Sequence, residues 1–169
     1  TNADSNWNDA FWSIHEVKHQ EPGKACVRTE TNKTHFGAAF AMNALAHVLD
    51  SSGKRELTHS HLESDTSRVG IGFQAQLSSG ETLTLEKYVG ICTTLQHEAQ
   101  KLIGAASAHS DAAATSGWES LVESHQEAWA RIWSQADIEI TGDVASQQAI
   151  RFNIFHLNQT YRGDDARLN

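Results

Sequence analysis

The sequence is short of several things that would narrow its class. It holds two cysteines, Cys26 and Cys92, in 169 residues. That is too few for a disulfide scaffold, and the compartment expected is a reducing cytoplasm. Cations are outnumbered, 13 Lys and Arg against 21 Asp and Glu, for a formal net charge of −8. Nucleic acid and anionic membranes demand clustered positive charge, so neither is expected as a partner. No apolar run approaches the ~20 residues that span a bilayer. A G-x-S-x-G elbow, a phosphate-binding P-loop and a dinucleotide fingerprint are all missing. So are an N-terminal Met and a signal-like apolar stretch; "TNADSNWNDAFW" reads as mid-domain in character.

What is there is globular. Hydrophobic residues make up 39% of the chain, and a complete domain of this length buries roughly 70% of its unfolded surface. The first part reads as β structure. Val69, Ile71, Phe73, Ala75 and Leu77 alternate with Gly70, Gly72, Gln74 and Gln76, the period of a strand. Ser78-Ser79-Gly80 supplies a turn, and Leu83, Leu85, Lys87, Val89 and Ile91 alternate beyond it, which predicts a hairpin. Phe36–Leu49, "FGAAFAMNALAHVL", has the composition of a helix and the alternation of a strand; it is assigned as a long strand. Lys24–Thr31 and Ala10–Val17 are further strands, and the polar run Ser51–Ser67 is loop or edge. Several antiparallel strands with one buried face predict a sandwich.

After Thr94 the character changes. "LQHEAQKLIGAASAHSDAAA" is Ala-rich and helical. Ser116-Gly117-Trp118-Glu119 fits a capping box. Behind it Trp118, Leu121, Val122, His125, Trp129, Ile132 and Trp133 recur at helical spacing, predicting a buried face that carries three tryptophans. Asp137–Thr141, "DIEIT", is a short strand or connector, Asp143 is placed to cap the last helix, and Gly163 to end it. That helix is unusual. Ala149, Ile150, Phe152, Ile154, Phe155 and Leu157 occupy most of its circumference, the pattern of a helix enclosed on every side. With the missing Met, it leads to the expectation of a piece from a longer protein.

The chemistry-bearing residues each have a plain alternative. His15-Glu16-Val17-Lys18-His19 is a literal H-E-x-x-H, a zinc motif when helical. The sole proline, Pro22, and Gly23 follow at once, and the preceding alternation is that of a strand, where residues four apart stand ~13 Å apart. A polar strand end is the reading. His59 and His61 would share a strand face; with no Cys or carboxylate cluster at ligand spacing they read as solvated loop histidines. His125 reads as a core histidine. Trp7 and Trp12 suit either sugar stacking or core packing. Asp164-Asp165 beside Arg162 and Arg167 reads as a charged turn. No catalytic constellation and no metal set can be assembled from these residues.

The C-terminal third is more specific. His125, Trp129 and Trp133 form H-x-x-x-W-x-x-x-W; Asp137–Gly142 forms D-I-x-I-x-G; Gln147–Leu157 forms Q-Q-x-I-R-F-N-x-F-x-L; Gly163–Asn169 forms G-x-D-x-R-L-N. Together they resemble the inverting disaccharide phosphorylases of glycoside hydrolase family 65. The β part is similar more loosely: "NWNDAFWSI" resembles an N-Y-x-x-x-F-W strand of the maltose phosphorylase branch, with Trp7 in place of Tyr, and "LTLEKYVGICTT" the last sandwich strand.

The resemblance implies a mixed β and α chain: an antiparallel β-sandwich segment over residues 1–94, a helical linker over 95–142, and over 143–169 the first helix of an (α/α)6 barrel. It implies phosphorolysis with inversion. A glutamic acid protonates the glycosidic oxygen while inorganic phosphate, a co-substrate and not a cofactor, attacks the anomeric carbon. Glu98, Glu119, Glu123 and Glu127 do not match the acid, so the general acid and the phosphate ligands are expected beyond Asn169. Catalytic, cofactor and metal residues within the chain are therefore none. An α-linked disaccharide, phosphate, the rest of the barrel and a second copy as homodimer are the implied partners. Maltose is the implied substrate of the parent; the alternatives are a trehalose, kojibiose or nigerose phosphorylase of the same family, or a stand-alone carbohydrate-binding or dimerisation sandwich.

Overall fold

The computed structural model describes residues 10–20 and 22–160. Among these residues seven strands come first: β1 (Trp12–His19), β2 (Lys24–Thr31), β3 (Gly37–Asp50), β4 (Gly53–Leu57), β5 (His61–Ser64), β6 (Val69–Gly72) and β7 (Thr82–Thr93). A 3₁₀ turn at Ala99–Lys101 leads into α1 (Leu102–Ala136), and α2 (Val144–Thr160) follows. This is the expected antiparallel β-sandwich segment followed by helices. The chain divides into two compact units, Thr1–Trp118 and Glu119–Asn169.

In the first unit β3 is the spine. β7 runs along one edge from Ala38↔Thr93 to Leu49↔Thr82. The other edge is shared by β2, from Glu30↔Gly37 to Lys24↔Asn43, and by β4, from Ala46↔Leu57 to Asp50↔Gly53. β1 lies outside β2. All pairings are antiparallel. The Ala-rich stretch takes the strand form because it has partners on both edges, and helix propensity is a weak prior against that many ladder bonds.

Small side chains set how the first unit packs. Cys26 pairs with Ala41, and Ala39 with Cys92, so these four share one face of the sheet. Leu102 and Ala106 of α1 settle onto them, and the six form the buried core, flanked by Ile103 and Ala105. Opposite Ala41 stands Gly90. A Cβ built there would lie 2.0 Å from the Ala106 carbonyl oxygen, so only glycine lets the helix backbone come this close. Gly23 has two reasons to be glycine. Its φ is +79°, and a Cβ would sit 2.8 Å from the Ala44 oxygen.

The expected hairpin between Val69–Leu77 and Leu83–Ile91 is not formed. The turn is present, with the Glu81 N–H donating to the Ser78 carbonyl at 3.1 Å, but residues 73–78 are not in a strand. β6 turns back to pair with β5, from His61↔Gly72 to Ser64↔Val69, and β7 pairs with β3. Length decides it. A 14-residue strand offers β7 a ladder along its whole length, whereas the nearer candidate is weakened by Gly70 and Gly72. Ser51–Ser67 contains two short edge strands, β4 and β5. The β3–β4 turn is closed by Asp50, whose Oδ1 accepts from the backbone N–H of Ser52 at 2.7 Å and of Gly53 at 3.1 Å.

α1 is interrupted inside its span. Gly117 has φ +79° and ψ +165°, so the break falls one residue after the predicted cap at Ser116. The expected three-tryptophan face is corrected in three places. Trp118 is 63% exposed beside the break, Leu121 is exposed, and His125 is exposed, with an edge-on ring contact to Trp129 at 6.3 Å.

In the second unit, Trp129 stacks on Phe155 of α2 at 4.9 Å and on Trp133 at 6.1 Å. The D-I-x-I-x-G stretch is a connector without regular structure, held by two side chains of α2. Gln147 Oε1 accepts from the Ile140 N–H at 2.6 Å, and its Nε2 donates to the Ile138 carbonyl at 2.8 Å. Arg151 grips Asp137 as a fork, Nε to Oδ1 at 2.9 Å and Nη2 to Oδ2 at 2.6 Å. Asp143 caps α2 as expected, accepting from the Ser146 N–H at 3.1 Å. On α2, Ile154 is buried, whereas Phe152 and Leu157 are 61% and 68% exposed. Gly163 lies outside the described residues.

Two outcomes are expected. Gly90→Ala should cost about 1–3 kcal/mol, since the new methyl meets backbone, while Gly104→Ala, with open space around its Cβ, should be neutral or stabilising by up to about 1 kcal/mol. Urea midpoints compare them, and equal midpoints would refute the close-approach argument. The hydrogen bond and charge of Arg151 hold the Asp137 carboxyl below the usual carboxylate range. A depressed folded pKa stabilises above the unfolded value, about 3.9, and the contribution is lost as pH falls below that through the folded value. NMR titration of Asp137 should therefore give an acid-shifted midpoint that returns toward normal in Arg151→Ala; an unshifted midpoint in the unaltered chain would rule the fork out in solution.

Candidate functional site

The helix-facing side of the sheet gathers the polar groups of the first unit. Asp111 of α1 lies with each carboxylate oxygen 3.1 Å from Lys24 Nζ. Asn43 Nδ2 donates to its Oδ1 at 3.0 Å. Further along, His47 Nδ1 is 3.7 Å from Glu86 Oε1, and Tyr88 donates its hydroxyl proton to the other Glu86 oxygen. Charges here are matched within the protein. An open cleft is lined by Glu16, Arg28, Ala99, Gln100 and Ile103, and Glu16 is the cross-strand neighbour of Arg28. One carboxylate beside one guanidinium can orient a polar ligand, but it is not a phosphate cradle.

A third cluster is of a different chemical kind. Cys92 at the end of β7, His97 in the turn after it and His109 on α1 each present one donor atom, all within 4.8 Å of one another. Cys92 is buried, His97 half-buried and His109 exposed. Burial pushes the Cys92 thiol above its ordinary pKa. Cys26 and Cys92 are both free.

The residues singled out from the sequence are dispersed. His15 and His19 stand on β1 as a strand, with the register irregular between Ile14 and Glu16. His15 Nε2 is 3.9 Å from Glu30 Oε2, while His19 Nε2 hydrogen-bonds the Glu63 carbonyl at 3.1 Å. His61 is not a loop histidine; it lies on β5, its ring over Gly72 and 3.4 Å from Glu63. His59 precedes that strand. Trp12 is half-exposed on β1. Glu98 pairs with Lys101 at 2.9 Å, and Glu119, Glu123 and Glu127 are exposed on α1. Trp7, Arg162, Asp164, Asp165, Arg167 and Asn169 lie outside the described residues. The trio Cys92, His97 and His109 escaped sequence reasoning, because the signal is a spacing of C-x₄-H-x₁₁-H that means nothing until the strand end and the helix face are known. On that face His109 follows Leu102 and Ala106 at i+7 and i+3.

Comparison with known proteins places the chain. The family model "Glycosyl hydrolase family 65, N-terminal domain" matches residues 1–132. The maltose phosphorylase of Bacillus subtilis (strain 168) is 30% identical over 168 residues, 99% of this chain and 21% of the relative. The alpha,alpha-trehalose phosphorylase of Thermoanaerobacter brockii is 33% identical over 152 residues, 90% of this chain and 19% of the relative. The kojibiose phosphorylase of Halothermothrix orenii is 31% identical over 101 residues, 56% of this chain and 13% of the relative. The chain thus spans about a fifth of the length of the first two relatives. No solved structure matches it. With its antiparallel sheet, the long helix after it and a family model covering most of its length, the chain belongs to glycosyl hydrolase family 65.

Proposed function

We propose that the chain is the non-catalytic part of an inverting disaccharide phosphorylase that converts maltose and inorganic phosphate into β-glucose 1-phosphate and glucose. The observation that carries this is the likeness to a maltose phosphorylase over 99% of the chain. In this reading residues 1–94 belong to the sandwich, 95–142 to the linker, and 143–169 to the first helix of an (α/α)6 barrel. The exposed Phe152 and Leu157 on α2 support the last assignment, since an apolar side chain left in water forgoes ~1.5–3 kcal/mol of burial that neighbouring helices would supply. The general acid and the phosphate ligands then lie on the barrel beyond Asn169. The parent works without a cofactor, as a cytoplasmic homodimer, a reading that rests on the family resemblance. The 33% identity to a trehalose phosphorylase favours a second substrate reading, in which the parent splits another α-linked glucose disaccharide: trehalose, kojibiose or nigerose.

The purified 169-residue chain should release no glucose from maltose in phosphate, because the described residues place no acid beside a phosphate cradle and such parts supply many orders of magnitude in rate. Extending the chain to its full reading frame should restore phosphate-dependent release from one of the four disaccharides. Turnover by the 169 residues alone, or none by the extended protein on any of the four, would refute the proposal.

A further inference from the structure

We propose that Cys92, His97 and His109 bind one divalent cation of the zinc class, a thiolate and two imidazoles holding the metal with water in the fourth position. The donor set defines the class. Sulfur and imidazole nitrogen are borderline-soft ligands that favour zinc, whereas magnesium and calcium take oxygen. The geometry is close to what the ion requires. With Zn–S about 2.3 Å and Zn–N about 2.05 Å, tetrahedral angles set the donors about 3.4–3.6 Å apart. The three atoms already lie within 4.8 Å, so closure asks for movements of about 1 Å, which imidazole rotamers supply.

The backbones behind the donors are held independently of any metal. Cys92, near the end of β7, is laddered to Ala39 of β3, and its side chain belongs to the core cluster with Leu102 and Ala106. The backbone N–H of His97 closes the turn after β7 onto the Thr93 carbonyl at 3.2 Å. His109 stands one turn beyond Ala106 on α1. Three separate pieces of structure therefore deliver one ligand each to the same margin of the core. The exposed side of the site, at His109, is where water completes the shell. On binding, the Cys92 S–H proton passes to solvent as the metal–sulfur bond forms, and the ion ties the last strand, its turn and α1 together. This site stands independently of the phosphorolysis reading.

The test uses the chain stripped of metal with a chelator and titrated with Co²⁺, then with Zn²⁺. One equivalent of cobalt should give the absorption of a tetrahedral site with a thiolate-to-cobalt charge-transfer band, and zinc should displace it. The melting temperature should rise with zinc concentration and fall back with chelator. His109→Ala, an exposed position, should keep the fold and weaken zinc binding by at least about tenfold. Cys92→Ser should abolish the charge-transfer band, and His61→Ala should change nothing. Absence of a cobalt spectrum, a spectrum without the thiolate band, or zinc affinity unchanged in His109→Ala would overturn the proposal.

Discussion

At Gly90 the backbone of α1 lies almost directly on the backbone of β7, with the Ala106 carbonyl oxygen occupying the space a side chain would need. Much of the first unit depends on that contact. A helix usually stands off a sheet on a layer of large side chains; here the cluster beneath α1 is made of Ala39, Ala41, Ala106 and two cysteines, with Leu102 as its large residue. Small residues bury little area each, so this core is thin, and its stability comes from closeness and dispersion contact more than from area. A methyl added at Gly90 meets the backbone of α1 directly.

A thin apolar layer needs orientation, and the polar groups on the same face provide it. Asp111 draws in Lys24 from β2 and Asn43 from β3, which locks the rotation of the helix against two adjacent strands. A half-buried ion pair is a modest source of stability but penalises wrong registers, because a slipped helix would leave Asp111 without its partners. The same register brings Cys92, His97 and His109 together. One constraint, the seating of α1, thus serves the core, the polar clasp and the metal-ligand cluster.

The opposite face of the sheet presents Leu83, Leu85, Val89 and Ile91 from β7 and Phe40 from β3, all substantially exposed. The second unit presents Phe152 and Leu157 from α2 in the same way. Each such side chain left in water forgoes burial, and the chain spans about a fifth of the length of the relatives it is similar to. Within the second unit, Trp129, Gln147, Arg151 and Asp137 fix α2 to its connector. The described part of the family motif thus ties one element to the next.

What the sequence determined by itself was local and periodic. The strands at Trp12–His19 and Lys24–Thr31, the long strand beginning at Gly37, the helical run after Leu102 and the Asp143 cap all follow from alternation, helical spacing or a capping side chain, which act over a few residues. The C-terminal motifs were legible as family membership for the same reason, being contiguous. Tertiary structure decided which strands pair: β7 crosses past its neighbour in sequence to lie on β3, because a ladder's strength grows with matched length and no local pattern encodes a partner far away along the chain. It exposed Trp118 and His125 on a face that periodicity alone marks as buried, since burial requires something opposite as well as a stripe. It also joined Cys92, His97 and His109, three residues with no shared periodicity, through the one approach that glycine at position 90 permits.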